Sequence, residues 1–371
     1  MKIFIGADLV PTKKKGDVGT GRSEELFING DTGALFCDVL PLIKDADRAI
    51  VNLECALTDT DGAISKIGPN IKASPLCAKT IKSAGFSDCA LANNHVFDYG
   101  KQGLDDTLQA LDEAGLNYFG IGNNDTDSRK IYYICEQGIK IAIVNVCEHE
   151  YTYALPSRMG ANPFDPFLTM ADIREAKQNA QHVIVLYHGG KEYCPYPSPR
   201  LYNACHEMAH NGADVIIAQH SHCIGCYEKY NGAHILYGQG NFHFTLDKES
   251  QSWNEGLALV LEFDGEIKMN IHPFTVSGAS ISLAKGEDYE RIMSALEARN
   301  NDLQTGAWRK KWSEFCGSVS DFYKGVVKRV GTAVGQDSIE ADENLAHYLD
   351  CEAHLDVLKE LYRTANDTNE M

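Results

Sequence analysis

The 371-residue sequence lacks long apolar runs, internal repeats and low-complexity tracts, and it is short of positive charge. No stretch approaches the roughly 18 apolar residues that a membrane-spanning helix needs, so we expect no membrane span. Lys and Arg total 34 against 52 Asp and Glu, which gives a formal net charge of −18. A chain this acidic is a poor match for phosphate backbones, so the composition argues against a nucleic-acid partner.

The printed N-terminus has no signal-peptide pattern. The first eight residues, MKIFIGAD, turn polar too early for a secretory signal and are typical of a first strand. On this ground we expect a cytoplasmic protein. The twelve cysteines are spread along the chain, which favours reduced thiols over a disulfide framework. Most of them, Cys89 and Cys135 for example, are expected to be small buried hydrophobic residues.

Apolar runs alternate with helix-like segments over the first 220 residues or so. Six of the runs are Lys2–Ala7, Ala49–Leu53, Cys89–Ala92, Ile139–Val146, Val183–Tyr187 and Asp214–Ala218. Such runs are typical of strands that are buried on both faces, and their alternation with helices predicts a layered α/β domain. Further runs at His234–Tyr237, Leu257–Phe263 and Lys268–Val276 are expected to form an antiparallel part of the same domain, with Asp264-Gly265 as a hairpin turn.

The character of the chain changes near Ser277. We assign residues 1–278 to the α/β domain and residues 279–371 to a helical C-terminal region, because the later segments are charged and rich in helix-forming residues. No strand-end ligand pattern occurs in that region. We therefore expect it to supply no metal ligand.

Metal-binding residue types stand just past the predicted carboxyl ends of five strands. They are Asp8, Glu54, Asn93-Asn94-His95, His188 and His220-Ser221-His222. Ligands of open α/β sheets bind at this edge, so residues far apart in sequence should converge on one crevice. Each residue taken singly is more often a cap, a turn or a satisfied polar group. The five endings together predict a metal site.

The donor set indicates one or two divalent ions. Carboxylate, imidazole and amide oxygen together suit Zn, Mn or Fe, and the set needs no thiolate, which argues against a closed structural zinc site. Two ions about 3.5–4 Å apart can activate water and hold a phosphate during displacement. Such a pair needs a carboxylate that bridges both ions, and Glu54 is the candidate.

Several blocks of the sequence resemble one known family. The blocks are Asn52-Leu53-Glu54, Ala92–His95 with Asp98-Tyr99-Gly100, His188–Glu192, Gly212–Ile217 with His220-Ser221-His222 and Glu228, and Gly240-Asn241-Phe242. Over residues 1–275 they follow the order found in capsule synthesis proteins of the CapA type, which are associated with poly-γ-glutamate capsules. That family is similar in turn to calcineurin-like metallophosphoesterases. The resemblance implies a two-sheet αββα sandwich of the metallophosphoesterase type with a dinuclear metal centre.

The resemblance also implies individual roles. Asp8, Glu54, Asn94, His188, His220 and His222 would be metal ligands, and His95 would be the catalytic residue that faces a substrate phosphate. The chain departs from the phosphoesterase pattern at Val10, where a His ligand is usual, and at Glu54, where the bridging residue is usually Asp. These departures weaken the first metal site. Two alternatives to a pair of tightly bound ions therefore stay open: a single ion, or a second ion that is held weakly.

The function that follows is a metal-dependent hydrolase acting on a phosphoester, linked by family to capsule or exopolymer biosynthesis, with an anionic small molecule or polymer as substrate. The alternative is a non-hydrolytic metal-binding accessory protein of poly-γ-glutamate or polysaccharide capsule assembly, which the missing histidine at Val10 favours. The Asn94-His95 pair favours the hydrolase, because metal binding alone does not need His95. A hydrolase of amide bonds also stays open.

Four further features are weaker candidates. Cys223 and Cys226 have C-x-x-C spacing, Lys13-Lys14-Lys15 and Arg22 could meet an anionic substrate, and Glu192 could orient a histidine ligand. Each also has an ordinary explanation as a buried thiol, a solvated loop or a surface ion pair.

Overall fold

A computed structural model describes residues 1–12, 21–244, 250–333, 343 and 346–367. Its strands are β1 (Lys2–Val10), β2 (Arg48–Leu53), β3 (Ala56–Leu57), β4 (Lys72–Ala73), β5 (Asp88–Ala90), β6 (Asn117–Phe119), β7 (Ile121–Gly122), β8 (Tyr132–Glu136), β9 (Ile139–Cys147), β10 (Gly160–Ala161), β11 (His182–His188), β12 (Val215–Gln219), β13 (Tyr227–Tyr230), β14 (Ala233–Leu236), β15 (Asn241–Phe244), β16 (Glu255–Asp264), β17 (Glu266–Ser277) and β18 (Ser280–Leu283).

The described helices flank and follow these strands. They are α1 (Gly21–Asn29), α2 (Thr32–Phe36), α3 (Leu40–Lys44), α4 (Cys77–Ser83), α5 (Gly100–Ala114), α6 (Asp125–Ser128), α7 (Leu168–Asn179), α8 (Pro199–His210), α9 (Glu287–Thr305), α10 (Trp308–Ser318), α11 (Ser320–Ala333) and a C-terminal helix (Glu352–Asp367). Short 3₁₀ segments occupy Cys37–Val39 and Gln251–Asn254, and a π-helical turn occupies Ala346–Asp350.

Two sheets contain most of the described strands. Sheet I has the order β18-β17-β16-β1-β2-β5-β6, with β15 also paired to β1, and sheet II has the order β13-β14-β12-β11-β9-β8. In sheet I, β1, β2, β5 and β6 are parallel; in sheet II, β9, β11, β12 and β14 are parallel. Because parallel strands end on the same side, each sheet gathers its carboxyl ends along one edge.

Side-chain alternation along the strands builds one core between the sheets and one outside each sheet. Ile3 and Ile5 of β1 pack in the same buried cluster as Ile184 of sheet II. Phe4, which lies between them in sequence, points the other way and packs with Phe36 of α2. Helices α7 and α8 cover the outer face of sheet II. The predicted two-sheet αββα sandwich is confirmed by this arrangement.

The helices after Gly286 pack directly onto the sandwich. Ile292 and Leu296 of α9 belong to the buried cluster between the sheets, and Leu303 and Trp308 join the cluster outside sheet II. Within the described ranges, no helix combines the length and hydropathy that crossing a bilayer requires.

Strand β14 departs from the antiparallel arrangement expected after Ala218. It pairs in parallel with β12 and is antiparallel only to β13. Asn231 and Gly232 both have positive φ, 49° and 84°, and this tight turn sends β14 back between its two neighbours. The hairpin expected at Asp264-Gly265 does form between β16 and β17.

All twelve cysteines lie in the described part of the chain, and none forms a disulfide. Cys89 is buried, as expected. The expectation for Cys135 is wrong, because this residue is exposed. It lies on β8, where the adjacent Ile134 takes the buried side of the strand and leaves Cys135 on the opposite face.

We expect Phe86→Ala to lower the free energy of unfolding by about 3–5 kcal/mol, because a buried ring is lost and a cavity is left. The Phe86 ring centroid lies 6.0 Å from that of Phe4, 5.9 Å from Phe36 and 6.0 Å from Phe242. Urea unfolding measures the change. The matched control is Phe167→Ala, since Phe167 is 81% exposed and its loss should cost within about 0.5 kcal/mol. Equal losses would contradict this core.

Candidate metal centre

Asp8 is placed by an irregularity inside β1, rather than past the end of that strand as the sequence predicts. The pairing register shifts between Ile5 and Asp8 against β2, and again between Asp8 and Leu9 against β15. Such irregularities re-aim a side chain relative to the regular pleat. Asn52 of β2 donates to Asp8 Oδ1 at 2.8 Å and fixes the carboxylate.

The histidines of sheet II stand at the ends of two adjacent strands. His188 is the last residue of β11, and His220 and His222 follow β12. His220 and His222 have φ values of 82° and 52°, which are unfavourable for residues with a Cβ atom. Strain of this kind costs on the order of 1–3 kcal/mol per residue and persists where the surrounding structure enforces it. Here the His220 amide donates to Asp8 Oδ2 at 3.1 Å.

The carboxylates of sheet I and the imidazoles of sheet II meet at this shared edge. His188 Nε2 lies 3.3 Å from Glu54 Oε1, and His188 Nδ1 lies 3.9 Å from Asp8 Oδ1. His222 Nδ1 lies 3.7 Å from Asp8 Oδ2. Two groups of three, Asp8–Glu54–His188 and Glu54–His220–His222, each keep their donor atoms within 4.8 Å of one another. Glu54 belongs to both groups.

Asn94 and His95 lie on the loop after β5, next to these groups. Asn94 Oδ1 is 2.9 Å from His188 Nε2, so the amide oxygen faces the same space as the donor atoms. His95 Nδ1 is 2.7 Å from Asp98 Oδ2. The structure thus brings all seven predicted residues to one edge, and their individual roles remain predictions.

Burial is the main cause of the raised pKa values of the Asp8 and Glu54 carboxyls. Neither oxygen of Glu54 has a hydrogen-bond partner among the described residues. Burial, opposed by His222 and reinforced by Glu192 and Glu150, raises the pKa of Glu54 to about 8. Burial and then the neighbouring Glu54 raise the pKa of Asp8 to about 6.

The histidines beside them are held neutral. Burial lowers the pKa of His188 to about 4 and that of His220 to about 3. Neutral imidazoles offer lone pairs rather than positive charge, and metal ligands must be deprotonated in this way. Buried carboxylates with neutral histidines and an amide oxygen around them fit one or two divalent cations, which would supply the missing charge.

A hydrogen-bonded shell orients the donors. Asn241 donates its amide to the Trp253 carbonyl at 2.9 Å, so its Oδ1 accepts from His222 Nδ1, also at 2.9 Å. This fixes the His222 tautomer with Nδ1 protonated and leaves Nε2 free as a ligand atom. Asn93 donates to Asn52 Oδ1 at 3.1 Å and holds the amide that supports Asp8.

A cavity of about 580 Å³ opens above the donors. Two lysines, Lys66 and Lys191, line it together with His95. Lys66 pairs with Asp98 and donates to the Asn94 carbonyl at 3.3 Å, so one cation stands directly beside the proposed catalytic histidine. His347, Ala353 and His354 from the C-terminal region complete part of the wall.

Five charged or histidine residues that line this cavity were not among the predicted site residues: Lys66, Glu150, Lys191, His347 and His354. Glu150 follows β9 by three residues, so extending the strand-end pattern to this strand would have found it. The two histidines are seven residues apart, which is two helical turns and a weak signal by itself. Lys66 lies in a loop without any pattern.

The weaker candidates have mixed outcomes. Glu192 Oε1 lies 3.9 Å from His222 Nε2, close enough to influence that ligand. Cys223 and Cys226 are free and buried, and burial raises the pKa of Cys223 to about 11. Arg22 is exposed. Lys13-Lys14-Lys15 lies outside the described residues.

The comparisons with known sequences agree on one family. The family model of the bacterial capsule synthesis protein PGA_cap matches residues 14–246. The capsule biosynthesis protein CapA of Bacillus anthracis is 31% identical over 313 residues, which cover 80% of this chain and 74% of that protein. The PGA biosynthesis protein CapA of Bacillus subtilis strain 168 is 29% identical over 296 residues, which cover 76% of each chain.

Likeness to solved structures is more distant. A hypothetical protein from Thermus thermophilus has a TM-score of 0.46 and 14% identity, with 77% of this chain and 100% of that chain covered. A 5'-nucleotidase precursor from the same organism has a TM-score of 0.44 and 14% identity. The match covers 82% of this chain and 59% of the nucleotidase, so this chain spans less than two thirds of it. Likeness at this level carries no argument about the activity of this chain.

We expect Glu54→Gln to stabilise the metal-free protein at alkaline pH. A carboxyl with a raised folded-state pKa binds more protons folded than unfolded, so stability falls as pH rises through the window between the two pKa values. For Glu54 that window runs from 4.5 to about 8. The histidines with lowered pKa act in the opposite sense only below pH 6.5.

Melting temperatures of chelator-treated wild type and Glu54→Gln measure this effect. The two should differ least at about pH 4.5, the lower end of the window, and the variant should melt higher at about pH 8.5. A difference that does not change with pH would contradict the burial of an ionisable, unpartnered Glu54.

Proposed function

The chain belongs to the bacterial capsule synthesis protein family PGA_cap, as its sequence blocks predict, and we propose that it is a metal-dependent hydrolase of a phosphoester. The substrate would be an anionic small molecule or polymer of capsule or exopolymer biosynthesis. One observation carries the proposal: Glu54 is fully buried, is shared by two groups of donors and has no hydrogen-bond partner among the described residues.

The proposed ligands are Asp8, Glu54, Asn94, His188, His220 and His222, for one or two divalent ions. When bound, such ions supply an activated water and neutralise charge on a phosphate. Zn, Mn or Fe suits these donors. The fold preorganises these six donors at the edge of the two sheets, so that they are in position in the metal-free protein.

His95 is the proposed general acid. Its Nδ1 atom lies 2.7 Å from Asp98 Oδ2. The Ile71 amide donates to the same oxygen at 2.7 Å. Lys66 pairs with the other oxygen, so Asp98 is anchored on both sides. With Nδ1 engaged, Nε2 is the atom that can give a proton to a leaving oxygen in the cavity.

The cavity wall favours an anionic substrate. Lys66 and Lys191 both line the cavity, in a chain whose formal net charge is −18. Glu150 and Glu192 also line it, and Lys191 Nζ lies 3.7 Å from Glu192 Oε2. The two ammonium groups, rather than a net positive wall, would therefore recognise an anionic substrate.

The second candidate function is a non-hydrolytic accessory protein whose metal site only binds polymer. Val10 favours it, because this position is fully buried in β1 and offers no ligand where a phosphoesterase usually has a histidine. Activity of the purified protein separates the two functions. Phosphomonoester and phosphodiester nitrophenyl substrates, tested with Zn²⁺, Mn²⁺ and Fe²⁺, would give turnover only for the hydrolase.

We expect His95→Ala to keep the bound metal and to lower turnover by roughly 10²–10⁴-fold, the usual effect of a positioned acid. His220→Ala should lose metal, because it removes a proposed ligand. Metal stoichiometry and rate are measured on both variants with the best substrate of the screen. The control is His210→Ala, an exposed histidine on α8 outside the cavity.

Two results would count against these roles. Equal metal loss in His95→Ala and His220→Ala would make His95 a ligand. Full turnover in His95→Ala would remove the general acid and favour the accessory function.

A further inference from the structure

Three cavity residues form a cluster of metal-ligand types beside the sheet-edge donors. Glu150, His347 and His354 each offer one ligand atom, and these atoms lie within 4.8 Å of one another. His347 and His354 are 9% and 8% exposed. The histidines come from the C-terminal region, on the π-helical turn and the C-terminal helix, and Glu150 comes from the loop after β9.

The geometry of the cluster is close to that of a metal site. His347 Nδ1 lies 3.3 Å from Glu150 Oε1 and makes no hydrogen bond to any of the described residues. Two ligand atoms about 2.1 Å from an ion in tetrahedral geometry are about 3.4 Å apart. The pair is therefore already spaced as two ligands of one ion would be.

His354 is also oriented so that one of its ring nitrogens faces the space where such an ion would lie. Its Nδ1 lies 2.6 Å from the Tyr323 hydroxyl. If Nδ1 carries the proton and donates it to the hydroxyl oxygen, Nε2 keeps its lone pair for an ion. The two imidazole centroids are 4.3 Å apart, so both rings face one small space.

Partly buried ion pairs hold the C-terminal helix against sheet II. Arg200 of α8 pairs with Glu148, and its Nε donates to Asp356 Oδ2 at 2.9 Å. Glu148 accepts from the Ala353 amide at 3.1 Å, and His149 Nδ1 lies 2.8 Å from Glu352 Oε1. These contacts involve residues adjacent to both Glu150 and His354, so the cluster is assembled by the fold rather than by chance contact of a loose tail.

We propose that Glu150, His347 and His354 bind a divalent transition-metal ion of their own, next to the sheet-edge centre. Two histidines and one carboxylate leave further positions open for water or substrate and suit Zn²⁺ or Fe²⁺. Glu150 connects this site with the sheet edge, because its other oxygen lies 3.8 Å from His220 Nε2 and accepts from Asn94 at 2.8 Å. This proposal runs against the expectation that the C-terminal region supplies no metal ligand, and the experiments below decide between the two.

Zinc stoichiometry of the full chain tests the proposal. Chelator-treated protein is reloaded with Zn²⁺, freed of excess and analysed for metal. The combined variant His347→Ala/His354→Ala should hold one equivalent less than wild type, while His210→Ala should hold the wild-type amount. His220→Ala should lose zinc from the sheet edge and still lose a further equivalent when His354→Ala is added. Unchanged zinc content on removal of His347 and His354 would overturn the proposal and leave the sheet-edge centre untouched.

A ligand exchange with Co²⁺ tests the site in a way that loss of folding cannot imitate. In His347→Cys the thiolate would replace an imidazole whose Nδ1 faces Glu150, and Co²⁺ bound there should gain a thiolate-to-cobalt absorption in the near ultraviolet. His210→Cys adds the same thiol on the surface and should gain none. A folded His347→Cys protein without the new band would overturn the proposal, even if its zinc content were lowered.

Discussion

Asp8 and Glu54 are buried side by side, and their charge governs how the rest of the sheet edge is arranged. Removing a carboxylate from water costs several kcal/mol unless it is paired or bound to a metal. Burial holds His188 and His220 neutral, so these two residues cannot repay this cost as cations. The strained backbone at His220, the amide of Asn52 and the register shifts of β1 all serve to keep these donors converged. Such an arrangement is stable only with a cation in its centre or with protons on its carboxyls.

The C-terminal region contributes residues to the cavity in addition to those at the edges of the two sheets. The PGA_cap model matches residues 14–246, which include most of the sheet-edge donors but neither His347 nor His354. These two histidines reach the cavity because Arg200, a partly exposed cation, pairs with the buried carboxylates of Glu148 and Asp356 and fixes the C-terminal helix against sheet II. Without Arg200 these two buried carboxylates would lose their cation, so the attachment is strong only as a complete network.

The sequence patterns predict a layered α/β domain and the convergence of its donors, because buried strands and the polar residues that end them are local patterns. The two-sheet sandwich follows from the family resemblance rather than from these patterns. It places Asp8 wrongly past the strand, since a register shift depends on two neighbouring strands and leaves no local mark. The parallel pairing of β14 is missed for the same reason. His347 and His354 could not be assigned to the cavity, because a helix distant in sequence is docked by partly buried ion pairs that no periodicity reveals.

The strongest argument against catalysis is that Val10 stands where a phosphoesterase usually has a histidine ligand. The number of donors at the sheet edge answers this argument. Structural metal sites are closed by four protein ligands, whereas catalytic sites keep three and leave a position for water or substrate. Each group at the sheet edge has three carboxylate or imidazole donors, with Glu54 common to both. A histidine at position 10 would add a further donor on the Asp8 side. Its absence lowers the affinity of that side for an ion but leaves a coordination position open for water or substrate. Weak binding of one ion and hydrolysis are therefore compatible, and the proposed role of His95 as proton donor, rather than the ligand count, distinguishes the two candidate functions.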